Sequence, residues 1–428
     1  MKISVVCLYI LSFVLLSFDV SPKDMLPEVP DSIRAPVDSF FHEPLLRGIT
    51  MVYRDEYEES IALFDSLQQA FPDHPAAYFY RAAAYQTWMS SYRFNKFQKE
   101  LESDVQLAIE KGDSLLKIRQ NDPWLNFYIG AAYGYRAFFR IRSWNWIGAY
   151  RDGTRGIGNF EKALEKQAIL LNAQSMQTLQ EDGLPQDVLT DLKNLENQTL
   201  RGPKNFSEAL KKQIGKKESK KYGAQILAAA EKDIPIYDVF LGLGSYHYWR
   251  TARSGFIRIV AFWMKDKRDF GLEQIQFSID HGRYCPPESY LVLATALLDY
   301  EKYDRALAVL EQFSEDAGKE VMSSLYLRGR LMMHFENWRE VKSLFQEILQ
   351  RLEGYQYPSI GYQVECKYWI AAALQREGNT DAALQLATEA LQQSENRDGD
   401  IELEGQFDSF KDIKKRLQTL QKSLEKTN

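Results

Sequence analysis

Apolar positions in the last third of the chain recur at fixed offsets. Counting from Ala294, residues at +3, +9, +12, +16 and +19 are Leu297, Tyr303, Ala306, Leu310 and Phe313. From Gly329 the same offsets give Met332, Trp338, Val341, Phe345 and Ile348, and from Ala371 they give Leu374, Thr380, Ala383, Ala387 and Ala390. Nearer the start, Gly48 leads to Met51, Tyr57, Ser60, Phe64 and Leu67, with Pro72 closing the unit. Steps of three and four mark one helix face, and the wider gap before +9 marks a turn, so each set predicts a helical hairpin. A small residue at the origin lets the two helices approach, larger residues at +3, +12 and +16 fill the space between them, and the residue at +9 closes the turn.

This pattern resembles the tetratricopeptide repeat, a helix-turn-helix unit that stacks into a superhelix. The resemblance covers residues 286–395 most fully and extends to 41–75. It implies an all-α, TPR-like helix-hairpin solenoid that acts as a scaffold or adaptor without a cofactor. It also implies that first helices line a concave groove holding a protein or peptide partner.

Longer hairpins make the middle of the chain legible. The heptad FYRAAAY (Phe79 to Tyr85) returns as FYIGAAY (Phe127 to Tyr133), 48 residues on, and more loosely as VFLGLGS (Val239 to Ser245), a further 112 on. The surplus of about 64 residues over one 48-residue period predicts an insertion, placed at 167–233. Within it Leu184, Val188, Leu192 and Leu195 keep helical spacing. At the far end Phe407, Phe410, Ile413, Leu417, Leu420 and Leu424 form one apolar stripe, read as a helix covering the last open face of the solenoid. No strand-like alternation is evident. The expected division is a signal peptide at 1–20, a linker at 21–40, hairpins at 41–166, the helical insertion at 167–233, hairpins at 234–395 and a capping segment at 396–428.

The signal-peptide reading rests on Lys2 followed by an apolar run from Val5 to Phe18, too short to span a bilayer comfortably and suited to an export signal. It predicts an exported protein, in the periplasm or at the cell surface of a bacterium. No Ala-x-Ala pattern precedes the sequence VSPKD, which leaves room for an uncleaved, membrane-anchored form. Beyond the run only Cys285 and Cys366 remain, so no disulfide framework is built in. A net charge of −6 argues against a nucleic-acid partner.

Signatures of catalysis are missing. GLGSYHY (Gly242 to Tyr248) lacks the flanking glycines of a nucleophile elbow, and His247 stands where a dinucleotide loop wants its third glycine. His247 falls at a packing position, three residues after Gly244, and reads as a core or groove histidine. Cys285, in YCPPE, reads as a helix end. The chain is not expected to be an enzyme or to bind a metal or cofactor.

Charge is distributed unevenly. The segment from Arg136 to Arg155 balances to +4, and so does Tyr237 to Arg268, which leaves −14 of the net −6 to the rest of the chain. Both segments run from the first helix of a hairpin into its second, in hairpins that become neighbours once the insertion is looped out. Arginine forks can grip carboxylates and stack on aromatics, and aromatic-arginine mixtures are enriched where partners bind. The candidate partner-binding set is therefore Arg136, Arg140, Arg142, Trp144, Trp146, Tyr150, His247, Trp249, Arg250, Arg253 and Arg258. The resemblance implies a polypeptide partner, in envelope assembly or secretion; an anionic small ligand such as a glycan, lipid headgroup or peptidoglycan fragment is the alternative. Six lysines between Lys211 and Lys221 form a separate cluster, a second route to a membrane surface.

Overall fold

A computed structural model describes residues 39–142, 145–232, 236–252 and 266–427. The expected signal peptide, nearly all of the expected linker, and Trp144, Arg253 and Arg258 lie outside the described residues. So do the side chains of Arg142 and Trp146.

Eighteen helices and three short strands are present among the described residues. In chain order the first six helices are α1 (Ser39–Val52), α2 (Tyr57–Ala70), α3 (Pro75–Tyr92), α4 (Gln98–Ile118), α5 (Pro123–Arg142) and α6 (Trp146–Lys166). The insertion contributes α7 (Ala173–Glu181), α8 (Gln186–Leu192) and α9 (Pro203–Ala229). Then come α10 (Val239–Thr251), α11 (Arg268–His281), α12 (Pro286–Asp299), α13 (Tyr303–Ala317), α14 (Met322–His334) and α15 (Trp338–Leu352). The chain closes with α16 (Ile360–Arg376), α17 (Thr380–Ser394) and α18 (Phe410–Thr427). Outside the insertion these pair into seven hairpins capped by α18.

The offsets read from sequence have a shared physical basis. In four hairpins the +9 residue (Tyr57, Tyr303, Trp338, Thr380) opens the second helix. Two residues earlier, at +7, the backbone turns left-handed: Asp55, Glu301, Glu336 and Gly378 have φ of 57°, 59°, 55° and 81°. That conformation lets the +8 amide reach back to the +3 carbonyl: Glu56 to Met51, Lys302 to Leu297, Asn337 to Met332 and Asn379 to Leu374, at 2.8 to 3.0 Å. This is the Schellman way of satisfying the last carbonyls of a helix. In the two hairpins with glycine at the origin, the +16 side chain fills the space that glycine leaves. A Cβ on Gly48 would lie 2.5 Å from the Phe64 ring, and one on Gly329 would lie 2.8 Å from that of Phe345.

The described residues form two compact units. One holds the seven hairpins and α18, and it folds back on itself. Side chains of the first two hairpins meet the last three. Trp88 Nε1 donates to Tyr355 Oη at 2.5 Å, the Ser91 and Ser323 hydroxyls lie 2.8 Å apart, and the Met322 amide donates to Asp55 at 2.8 Å. The buried Arg93 guanidinium pairs with Glu365 and stacks 3.8 Å over the Tyr362 ring. The stretch between α17 and α18 then straps the closure: the Asn95 amide donates to the Ile401 carbonyl at 2.8 Å, and the Leu403 amide to the Arg93 carbonyl at 3.1 Å. Ile413, Leu417, Leu420 and Leu424 of α18 cover Ala383, Ala387 and Ala390 of the last hairpin. Phe407, expected on that stripe, instead precedes the helix and stacks with Tyr326 in the strap.

The other unit comprises Ile169–Leu200 and Lys204–Glu231, against an expected insertion at 167–233. It has its own core, centred on Leu179, Leu192, Phe206, Leu210 and Ile226. The strands β1 (Ala168–Leu170), β2 (Thr199–Arg201) and β3 (Glu231–Lys232) form a sheet in the order β2-β1-β3. They are a local addition to an all-α fold, and two or three residues are too few for alternation to register in the sequence.

Candidate functional site

The concave face that the repeat pattern assigns to a ligand is filled by the protein's own side chains. At its centre the Glu288 carboxylate accepts hydrogen bonds from Tyr135 and Tyr53, joining the fifth hairpin to the third and first. Burial pushes the Glu288 carboxyl up to about 7. His42 reaches across to Tyr284 at 3.0 Å and Arg283 at 2.6 Å, and its own pKa is lowered by burial and by Arg283. Asp238 accepts the amides of Arg283, Tyr284 and Cys285 at 2.7 to 3.0 Å. Burial raises its pKa, opposed by those three amides. Cys285, expected at a helix end, caps the start of α12, with Pro286 in the first turn; its thiol is buried and pushed up by desolvation.

The two arginine-bearing hairpins are neighbours, since Gly130 of α5 and Gly242 of α10 both lie against the Phe160 ring of α6. Phe160 of α6 thus packs between α5 and α10, and the end of α5 meets the start of α6 at the hairpin turn.

Arg136 and Arg140 do not project into a groove. Both grip Asp152, which is 1% exposed: Arg136 Nε and Nη2 donate at 2.7 and 3.1 Å, and Arg140 Nη1 at 2.5 Å. Arg136 is itself 11% exposed and stands 5.3 Å over the Tyr133 ring. The clamp binds α5 to α6 beneath the turn. At the turn Asn145 caps α6, accepting from the Gly148 amide at 3.0 Å. His247 is a packed histidine, 2.7 Å from Gln274 Oε1 and against the Phe270 ring, with its pKa lowered by desolvation.

Of ten large apolar side chains exposed among the described residues, six belong to α5, α6 and α10: Phe138, Ile141, Ile147, Tyr150, Tyr246 and Trp249. Ile147 is 67% exposed, Tyr150 51% and Trp249 39%. Arg250 lies over Tyr246, its guanidinium 5.5 Å from the ring and Nη1 3.2 Å from the phenol oxygen. Of the expected set, Tyr150 and Trp249 are exposed on α6 and α10 and Arg250 is half-exposed; Phe138, Ile141, Ile147 and Tyr246, absent from that set, are exposed on the same three helices. Aromatic side chains beside arginine, standing open on rigid helix ends, can be buried by a complementary partner surface.

A recess of about 330 Å³ between α13 and α14 is lined by Glu311, Glu315 and Glu320, and its one arginine, Arg328, is already paired with Glu320 and Glu340. Among the described residues no cluster of His, Cys, Asp and Glu could hold a metal ion, and no helix is long and apolar enough to cross a membrane.

The hairpin architecture makes this a tetratricopeptide-like helical solenoid. No family model matches the chain, and no curated protein is similar to it in sequence. Among solved structures it is similar to the human IFIT1 dimer with PPP-AAAA, at 10% identity over 78% of this chain and 68% of that one, with a TM-score of 0.27. It is also similar to yeast Tom70, at 12% identity over 91% of this chain and 96% of that one, with a TM-score of 0.25. At such TM-scores neither likeness informs function.

Proposed function

We propose that the protein is an exported helical-repeat scaffold that holds a protein or peptide partner on the exposed turn end of its third and fourth hairpins. The observation that carries this reading is that six of the ten large apolar side chains exposed among the described residues belong to three neighbouring helices, α5, α6 and α10. Surface apolar residues scattered singly need no explanation, but their concentration on neighbouring helices does. The clamp at Asp152 holds α5 against α6, and the aromatic rings supply contact area at small entropic cost. In this reading the partner belongs to the cell envelope or a secretion complex, and the acidic remainder of the chain keeps the scaffold soluble.

The test is capture from the native host with mass spectrometry, comparing wild type with Ile147→Asp/Tyr150→Asp/Trp249→Asp. These side chains are exposed, so helicity and melting temperature should stay as in wild type. Loss of one polypeptide from the folded variant is the expected result. Equal capture by both proteins contradicts the assignment of the patch.

A further inference from the structure

Helix α9 of the insertion presents a face that the scaffold reading leaves unused. We infer that this lysine face docks the protein on a bilayer surface carrying anionic headgroups. The inference does not depend on the turn-end patch.

The helix is broken once, at Gly215, where φ is 83° and ψ 161°. Before the break Phe206, Leu210 and Ile214 are buried at steps of four; after it, Ser219 and Ile226 are. At about 100° per residue, Lys211 and Lys212 point away from the first buried stripe, and Lys217, Lys220 and Lys221 away from the second. All of these lysines, and Lys216, are exposed. Lys211, Lys212, Lys216, Lys217 and Lys220 have no carboxylate within 4.0 Å. Half-exposed lysines elsewhere do find one: Lys111 with Asp73, Lys342 with Glu377, Lys414 with Glu395. The helix balances to +5, leaving −11 of the net −6 to the rest of the chain. The helix is thus a basic segment of an acidic chain, and more basic than either arginine-bearing segment at +4.

The chemistry selects a lipid surface over the other polyanions. The face carries only lysines, which are hydrated point charges that act through a diffuse field. It has no arginine fork to clasp individual phosphates, and its neighbouring ring, Tyr222, is half-buried under the Lys221 ammonium at 4.8 Å rather than open to stack a base. The apolar run from Val5 to Phe18 offers a second membrane signal, and stable anchoring takes two.

The test is co-sedimentation of the full chain with phosphatidylcholine vesicles, with and without a third of phosphatidylglycerol. Because each lysine near an anionic surface contributes about five-fold, wild type should prefer the anionic vesicles by at least about tenfold. That ratio should fall to near one in Lys211→Gln/Lys212→Gln/Lys216→Gln/Lys217→Gln/Lys220→Gln, and also when salt is raised from about 0.1 M to about 1 M. A wild-type ratio near one, or a ratio unchanged in the folded variant, overturns the inference. Tighter binding to a single-stranded RNA oligonucleotide than to the anionic vesicles would overturn the choice of lipid.

Discussion

Glu288 should make this protein less stable as pH rises, and replacing it should remove that dependence. Its carboxyl is partly buried, is hydrogen-bonded by Tyr135 and Tyr53, and has a pKa pushed from 4.5 to about 7 by desolvation. The unfolded chain gives up the proton near 4.5 while the folded one keeps it to about 7. Over that window the native state binds more protons, so stability falls with pH. A rise of roughly 2.5 units at about 1.4 kcal/mol each amounts to about 3.5 kcal/mol, intact below pH ~4.5 and fully lost above pH ~7. Glu288→Gln keeps an acceptor for the two phenols but cannot ionise; its partly buried amide costs about 1 kcal/mol. The variant should be slightly less stable than wild type near pH 4 and about 2.5 kcal/mol more stable near pH 8. Urea unfolding of both proteins across this range is the assay, and comparing them cancels the titration of His42 and Asp238. Parallel stability curves would refute the reasoning.

Other expectations concern the hairpins. Asp152→Ala should destabilise by about 3 kcal/mol in urea unfolding, because it strands the buried Arg136 along with Arg140. A loss within ~0.5 kcal/mol would show that the clamp is dispensable. Glu336→Gly should stabilise by about 0.5–1 kcal/mol, since it relieves a left-handed side-chain position that the last hairpin gives to Gly378; a lower melting temperature would contradict this. Gly329→Ala should cost about 1–3 kcal/mol by pressing a methyl into the Phe345 ring, and unchanged stability would mean that the ring can move aside.

The repeat was legible because hairpin packing is local. Origin, +12 and +16 positions face one another within one unit, so Gly48, Ser60 and Phe64 announce their contacts in sequence. The same offsets locate the arginine clamp, for Asp152 stands 16 residues after Arg136 and 12 after Arg140. As the lone acid in that stretch it was the available signal, though composition alone suggested a free basic surface. Closure of the superhelix was not legible. Trp88 with Tyr355, Ser91 with Ser323 and Arg93 with Glu365 are separated by more than 230 residues, and nothing local in their spacing pairs them. The concave groove expected from the repeat was therefore read as open. Asp238 and Glu288 escaped notice for the same reason, as their roles are set by burial and by partners from distant hairpins. The exposed apolar patch was partly visible in its aromatics, but Phe138, Ile141 and Ile147 have the same chemistry as core residues and are distinguished only by where the helix ends fall.

The central claim is that partners bind outside a closed superhelix. It is tested most directly by locking the closure. The hydroxyls of Ser91 and Ser323 are 2.8 Å apart, so Ser91→Cys/Ser323→Cys should form a disulfide across it. Partner capture from the native host would then be compared between the oxidised and reduced protein. The account predicts the same polypeptide, captured equally well, in both states. Capture by the reduced form alone would show that the superhelix must open to bind, and that the partner enters the face now filled by the first two hairpins.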